Sequence, residues 1–395
     1  MKNILIIFFS LCLFYSCSEE SERGQYPLDS VPPKTVSAVS VENQPGGAII
    51  SYTIPDDEDL LYVKAIYKLD DGTVMEQKAS AYSNQIKIEG LGISQSQTIQ
   101  LISGDRSKNE SEAVNVEIFP LESPIYDVLN TVSMVSDFGG VLVSWANPLR
   151  SNIVVTVSAL GEDGKFTEVQ NVYTKATQGK VNVRGYLPEE TVFAVSVRDK
   201  WMNRTDTISE ALTPLFEEKL DRTKFVRWNP SGIPYMELAG WGWTIEKLWD
   251  GQLSYASAGG YSFPTTAVLP ASFTMDIGQT ACLGRIKIYP RATGAQLYTG
   301  GNVKKFQVWG SPHPNVNADF SNWVFLGDFE DVKPSGSAAG VVTQEDIDFA
   351  TAGVDYSVEN SATPVRYLRF YIEKTWGGGA GMQIFEVEFY GSITK

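Results

Sequence analysis

Beyond residue 34, short runs of Val, Ile, Tyr and Phe alternate with polar residues and are broken by Gly, Asn and Asp. That is the pattern of half-buried antiparallel strands joined by tight turns. Phe193 to Val197 shows the two-residue period plainly, with Ala194 and Ser196 between the larger side chains. The same alternation predicts strands near 273, 286, 306, 324, 367 and 386, and no stretch of helical period has comparable strength. The fold class that follows is all-β.

The chain also repeats itself. Gly46-Gly47-Ala48-Ile49-Ile50-Ser51-Tyr52 is matched 93 residues on by Gly139-Gly140-Val141-Leu142-Val143-Ser144-Trp145. The turn Asp70-Asp71-Gly72 is matched by Glu162-Asp163-Gly164, and Asp105 to Asn109 by Asp199 to Asn203. A period this long is that of whole domains in tandem. The Ser-Tyr/Trp strand and the Asp-x-x-x-Asn turn resemble fibronectin type III modules, which implies immunoglobulin-like sandwiches over 34–120 and 124–214. Trp145 is expected in a core strand, and Trp201, in a turn, against the neighbouring domain.

Length and charge narrow the picture. At roughly 100 to 200 residues per domain, 395 residues make several modules. A net charge of −15 repels phosphate backbones, so nucleic acid is not an expected partner. The single histidine, His313, sits between prolines in a turn-like segment, which leaves no triad or multi-histidine metal site to build.

At the amino terminus, Lys2 and Asn3 precede an apolar run from Ile4 to Tyr15, long enough for a signal-peptide core and too short to span a bilayer. The run ends at Ser16-Cys17-Ser18-Glu19-Glu20, which resembles the lipobox of bacterial lipoproteins and, in its acidic residues, the surface-export signal of Bacteroidetes lipoproteins. The resemblance implies residues 1–17 as signal region, Cys17 as the lipidated residue, 18–33 as a linker, and an outer-membrane anchor facing outward. Cys282 is then the one cysteine left in the mature chain; its apolar context reads as a small buried hydrophobe.

Seven of the nine tryptophans lie beyond residue 218, together with long Gly-rich loops. Leu248-Trp249-Asp250-Gly251, Phe273 to Gly278, Ile286 to Tyr289, Phe306 to Ser311, Val365 to Tyr371 and Ile384 to Gly391 resemble, in order and spacing, the discoidin or coagulation factor 5/8 type C family. The resemblance implies a galactose-binding-like jelly roll over 218–395. It also implies a structural calcium held by Asp250, Ser254 and Glu386. The cysteine pair of the clotting proteins is absent, and the segment 332–356 is longer than usual.

These features together predict a non-enzymatic, glycan-binding surface lipoprotein, its two sandwiches acting as spacers. Trp241, Trp243, Arg291 and Trp376 are the expected carbohydrate-binding residues, because sugar C–H faces stack on aromatic rings and a guanidinium fork meets hydroxyl pairs or carboxylates. A protein-binding adhesin or accessory subunit of an outer-membrane glycan importer is the alternative. A glycoside hydrolase built on Glu386 and Glu388 is the weaker one, since alternate carboxylates on one strand are common in sandwiches.

Overall fold

The computed structural model describes residues 29–253, 259–292, 296–338 and 340–393. Cys17 and Ser254 therefore lie outside the described residues. The architecture is all-β, with two tandem immunoglobulin/fibronectin-like sandwiches followed by a larger β module.

In the first sandwich β1 (Ser37–Gln44), β2 (Gly47–Thr53) and β5 (Gln85–Glu89) form one sheet in the order β1-β2-β5. The facing sheet, ordered β4-β3-β6-β7, holds β3 (Leu60–Lys68), β4 (Val74–Ser80), β6 (Gln97–Asp105) and β7 (Val114–Ile118). Alternate residues such as Ile50, Val63, Ile88, Ile99 and Leu101 point between the sheets and are buried. The second sandwich repeats this topology. It opens with a short helix α1 (Pro124–Asn130) and contains β8 (Ser133–Asp137), β9 (Gly140–Ala146), β10 (Ile153–Leu160), β11 (Phe166–Thr174), β12 (Gln178–Arg184), β13 (Thr191–Asp199) and β14 (Ile208–Leu212). Its sheets run β12-β9-β8 and β11-β10-β13-β14, and Trp145 is buried between them.

The repeated Asp-x-x-x-Asn turns are alike in atomic detail. Asp105 accepts from the backbone N–H and Nδ2 of Asn109 at 2.8 and 2.9 Å, and Asp199 from those of Asn203 at 3.0 and 2.8 Å. Lys108 and Met202 take the same positive φ, 70° and 71°. In the second copy Asn203 Nδ2 also donates to Gly90 O at 2.9 Å, and Trp201 packs on the first core so closely that a Cβ on Gly90 would meet its ring at 2.9 Å.

The third module is built around β18 (Ala271–Tyr289), a strand of 19 residues where the alternation pattern predicts two separate ones. Its first half pairs with β22 (Pro364–Thr375) and its second with β24 (Glu386–Ile393); the register breaks between Asp276 and Ala281. Gly278 stands in that break at φ +66°, with Lys224 O only 2.1 Å from where a Cβ would lie. A glycine-bearing bulge of this kind bends a strand and lets it change its pairing partner. The remaining strands are β15 (Glu218–Lys219), β16 (Val226–Arg227), β17 (Tyr261–Ser262), β19 (Val303–Ser311), β20 (Val324–Glu330), β21 (Val354–Ser357) and β23 (Gln383–Ile384). The long segment 332–356 contributes a helix, α2 (Gln344–Ala352), which the alternation pattern does not predict. Cys282 is corrected from buried to half-buried: it falls on the outward pleat of β18, with Sγ 3.5 Å from Ala362 O. Among the described residues no helix is long and apolar enough to cross a membrane.

The second and third modules meet at the corner end of β18. Arg184 Nη1 donates to Phe138 O and Glu217 at 2.7 and 3.0 Å, and its Nη2 reaches Gly284 O and Ser357 at 3.3 and 3.2 Å. Arg285 holds the other oxygen of Glu217 at 3.1 Å.

Candidate functional site

The opposite end of the third module is a rim of loops. β18 returns there at Tyr289, and the loop beyond it is fastened by Asn302, which is 2% exposed. Asn302 Oδ1 accepts the Arg291 N–H at 2.8 Å, and Nδ2 donates to Arg291 O and Gln296 O at 3.2 and 2.6 Å. Its carbonyl accepts the Trp376 N–H at 2.8 Å. One buried amide thus positions two of the expected site residues, and nothing but a Gly-Gly-Asn turn in the sequence points to it.

Trp241 ends a 3-10 turn (Ala239–Trp241) that Gly242 closes at φ +76°, and its ring is 82% exposed. Trp243 follows, held by its backbone N–H to Leu238 O at 3.3 Å. The Trp243 ring lies 5.9 Å from that of Phe385, and Gly259 passes over the indole where a Cβ would be only 3.0 Å away. The Arg291 guanidinium sits over the Trp243 ring at 5.4 Å, a cation–π distance, and donates to Gln383 Oε1 at 3.1 Å. Trp243 and Arg291 thus share one patch, which Gln383 and Phe385 support, and the exposed Trp241 stands two residues before Trp243 in the chain.

Trp376 is at the same rim but differs from the expected outward platform. It closes a small cluster with Leu297, Tyr298 and Ala350, edge-on to Tyr298 at 5.1 Å, and its Nε1 donates to Asp331 Oδ2 at 2.8 Å. The glycines after it serve its close turn against Gly300, whose atoms a Cβ on Gly377 would meet at 2.7 Å. Burial pushes the Asp331 carboxyl up to about 6, against the lowering effect of that indole N–H.

The calcium expectation meets a site already filled by donors. Both oxygens of the buried Glu386 accept the Gly251 N–H at 3.1 Å, and Arg222 Nη1 lies 3.4 Å away. Asp250 turns instead to Lys247 at 2.9 Å and to the Gln252 N–H. Among the described residues, the Glu386 carboxylate is met by an arginine cation and an N–H group, which is not the set of six to eight oxygens that calcium takes. Burial raises Glu386 to about 7, with Gly251 opposing. Another carboxylate group, Asp29, Asp59 and Asp105, comes within 4.8 Å, but both oxygens of Asp105 are taken by the Asn109 turn.

Three family models match the chain in succession, each described as a domain of unknown function: DUF4959 over 33–120, DUF5126 over 121–223 and DUF5000 over 249–391. No curated protein matches. Among solved structures, a SusE-like protein is 31% identical, covering 68% of this chain and 98% of its own, with a TM-score of 0.44. The C-terminal domain of a chitobiase from Bacteroides fragilis is 18% identical over 45% of this chain and 100% of its own, with a TM-score of 0.33. A two-domain fibronectin type III segment of chicken tenascin is 18% identical over 46% and 99%, with a TM-score of 0.23. On the identity shared along nearly the whole of the SusE-like protein, this chain belongs to the SusE-like family.

Proposed function

We propose that the chain is a glycan-binding accessory protein of the bacterial cell surface, anchored through Cys17 to the outer membrane beside a glycan importer. Membership of the SusE-like family supports this reading. So does the rim, which carries the binding role here: Trp241 stands 82% exposed two residues before Trp243, over whose ring Arg291 lies, so that rings and a fork are offered to a sugar. Exposure of a large aromatic at the tip of a glycine-closed turn has no packing explanation. The third module in this reading is a discoidin-like sugar binder, and no step of catalysis is assigned to it. A glycan array with the full mature chain identifies the ligand. Titration of Trp241→Ala against the best hit is expected to weaken binding roughly three- to tenfold, the worth of one stacking contact. Undiminished affinity in both Trp241→Ala and Arg291→Ala removes the rim site.

A further inference from the structure

The joint between the two sandwiches encloses a cleft of about 410 Å³, within the size range of small-ligand sites. Lys87 and Glu89 of β5 stand on one wall; Arg150, Lys175 and Lys200 of the second sandwich stand on the other. The two carboxylates present are already engaged. Asp199 accepts three hydrogen bonds inside its own turn, and Glu89 is shared by Lys87 and Lys200 at 2.5 and 3.7 Å. Among the described residues no carboxylate pairs with Arg150 or Lys175. In a chain of net charge −15 this cleft reverses the prevailing sign.

The cations are presented by fastened turns. Asn147, fully buried, accepts the Ser151 N–H at 3.0 Å and donates to Ser151 O at 2.9 Å, while its carbonyl accepts the Arg150 N–H at 3.0 Å. Arg150 is thereby held at φ +53°, a left-handed conformation arginine rarely takes. On the same wall, Lys200 lies over the Trp201 ring at 4.0 Å, and Asn203 ties the two walls together through Gly90. Such prearrangement lowers the ordering cost of binding.

We propose that this cleft binds an acidic oligosaccharide, one or two sugar rings bearing carboxylate or sulfate groups, as a second site separate from the rim. The Arg150 fork suits a two-point contact with either anion, and Ser151 and Asn152 between the cations offer neutral partners for hydroxyls. The test is isothermal titration of the full mature chain with digalacturonate, a chondroitin sulfate disaccharide, neutral maltose and a tetraglutamate peptide. One or both acidic sugars bind at low salt, and affinity falls severalfold when salt rises from about 20 to 500 mM. In the Arg150→Asn/Lys175→Gln double variant, affinity for the acidic sugar drops about tenfold or more. Asparagine tolerates the left-handed turn, so an unchanged melting temperature accompanies the loss. Trp241→Ala leaves this binding unaltered, which separates it from the rim. The proposal is overturned by a double variant that binds like wild type, by absence of acidic-sugar binding up to ~10 mM, or by tighter, equally charge-dependent binding of the peptide.

Discussion

Two carboxyl groups of the third module are buried deeply enough to titrate near neutrality: Asp331 at about 6 and Glu386 at about 7. Their ordinary values are 3.8 and 4.5, so between those values and neutrality the folded chain binds protons that the unfolded chain releases. Stability from these groups therefore rises as pH falls from about 7 toward 4.5 and is lost as pH climbs back through the folded values. Carboxyls lowered by partners, such as Glu388 beside Lys219, act in the opposite sense only at lower pH. Urea unfolding is expected to show greater stability at pH 5 than at pH 8, and Asp331→Asn to remove about 1.4 kcal/mol of that difference. Lys333 is buried as well, its ammonium held by the carbonyls of Ser337, Ala338 and Val341. Lys333→Met leaves those acceptors unsatisfied, and a stability loss of about 2 kcal/mol in thermal or urea melts is the expected outcome. None of these environments is legible in the sequence, because burial of a single polar residue depends on the loops that happen to cover it. The exposure of Trp241 was legible for the converse reason: the glycines on either side of it mark a turn that leaves the ring outside.

At the scale of elements, alternation sufficed wherever one face of a strand is buried, and it failed where a strand bends. Asp276-Ile277-Gly278-Gln279 reads as a turn signal, so β18 appears in the sequence as two strands. The register does break there, but the strand continues without a loop and takes β24 as its new partner. Gly278→Ala would set a methyl against Lys224 O and strain a positive φ; a loss of at least about 1 kcal/mol is expected in equilibrium unfolding. Helix α2 escaped the pattern because its buried positions are few, with Ala350 the main apolar one. Its start was nevertheless written in the sequence as Thr343-x-x-Asp346, and both reciprocal hydrogen bonds of that capping box are present. Thr343→Ala should cost about 1 kcal/mol in thermal stability.

On the scale of the whole molecule, the joint falls near the Ala281 end of the β18–β24 ladder and the rim loop leaves from its Tyr289 end. Glu217 is the hinge pin of the joint, a half-buried carboxylate gripped by Arg184 and Arg285. Glu217→Ala is expected to loosen the joint, seen as a larger maximum dimension in small-angle scattering, while rim affinity stays within about twofold of wild type. A joint of this kind has no sequence signature, since Arg184 and Glu217 meet only after both modules fold. The repeated Asp-Asn turns were visible as text, but not what they reach. In the first copy Asn109 Nδ2 lies 3.3 and 3.4 Å from Asp29 O and Val31 O of the incoming chain; in the second, Asn203 takes Gly90 O of the preceding sandwich. The same turn is thus a coupling that grips whatever stands upstream of it. Mechanical load entering from the amino-terminal side meets these couplings in series, so tension would peel residues 29–31 from the first sandwich before it pulls the two sandwiches apart.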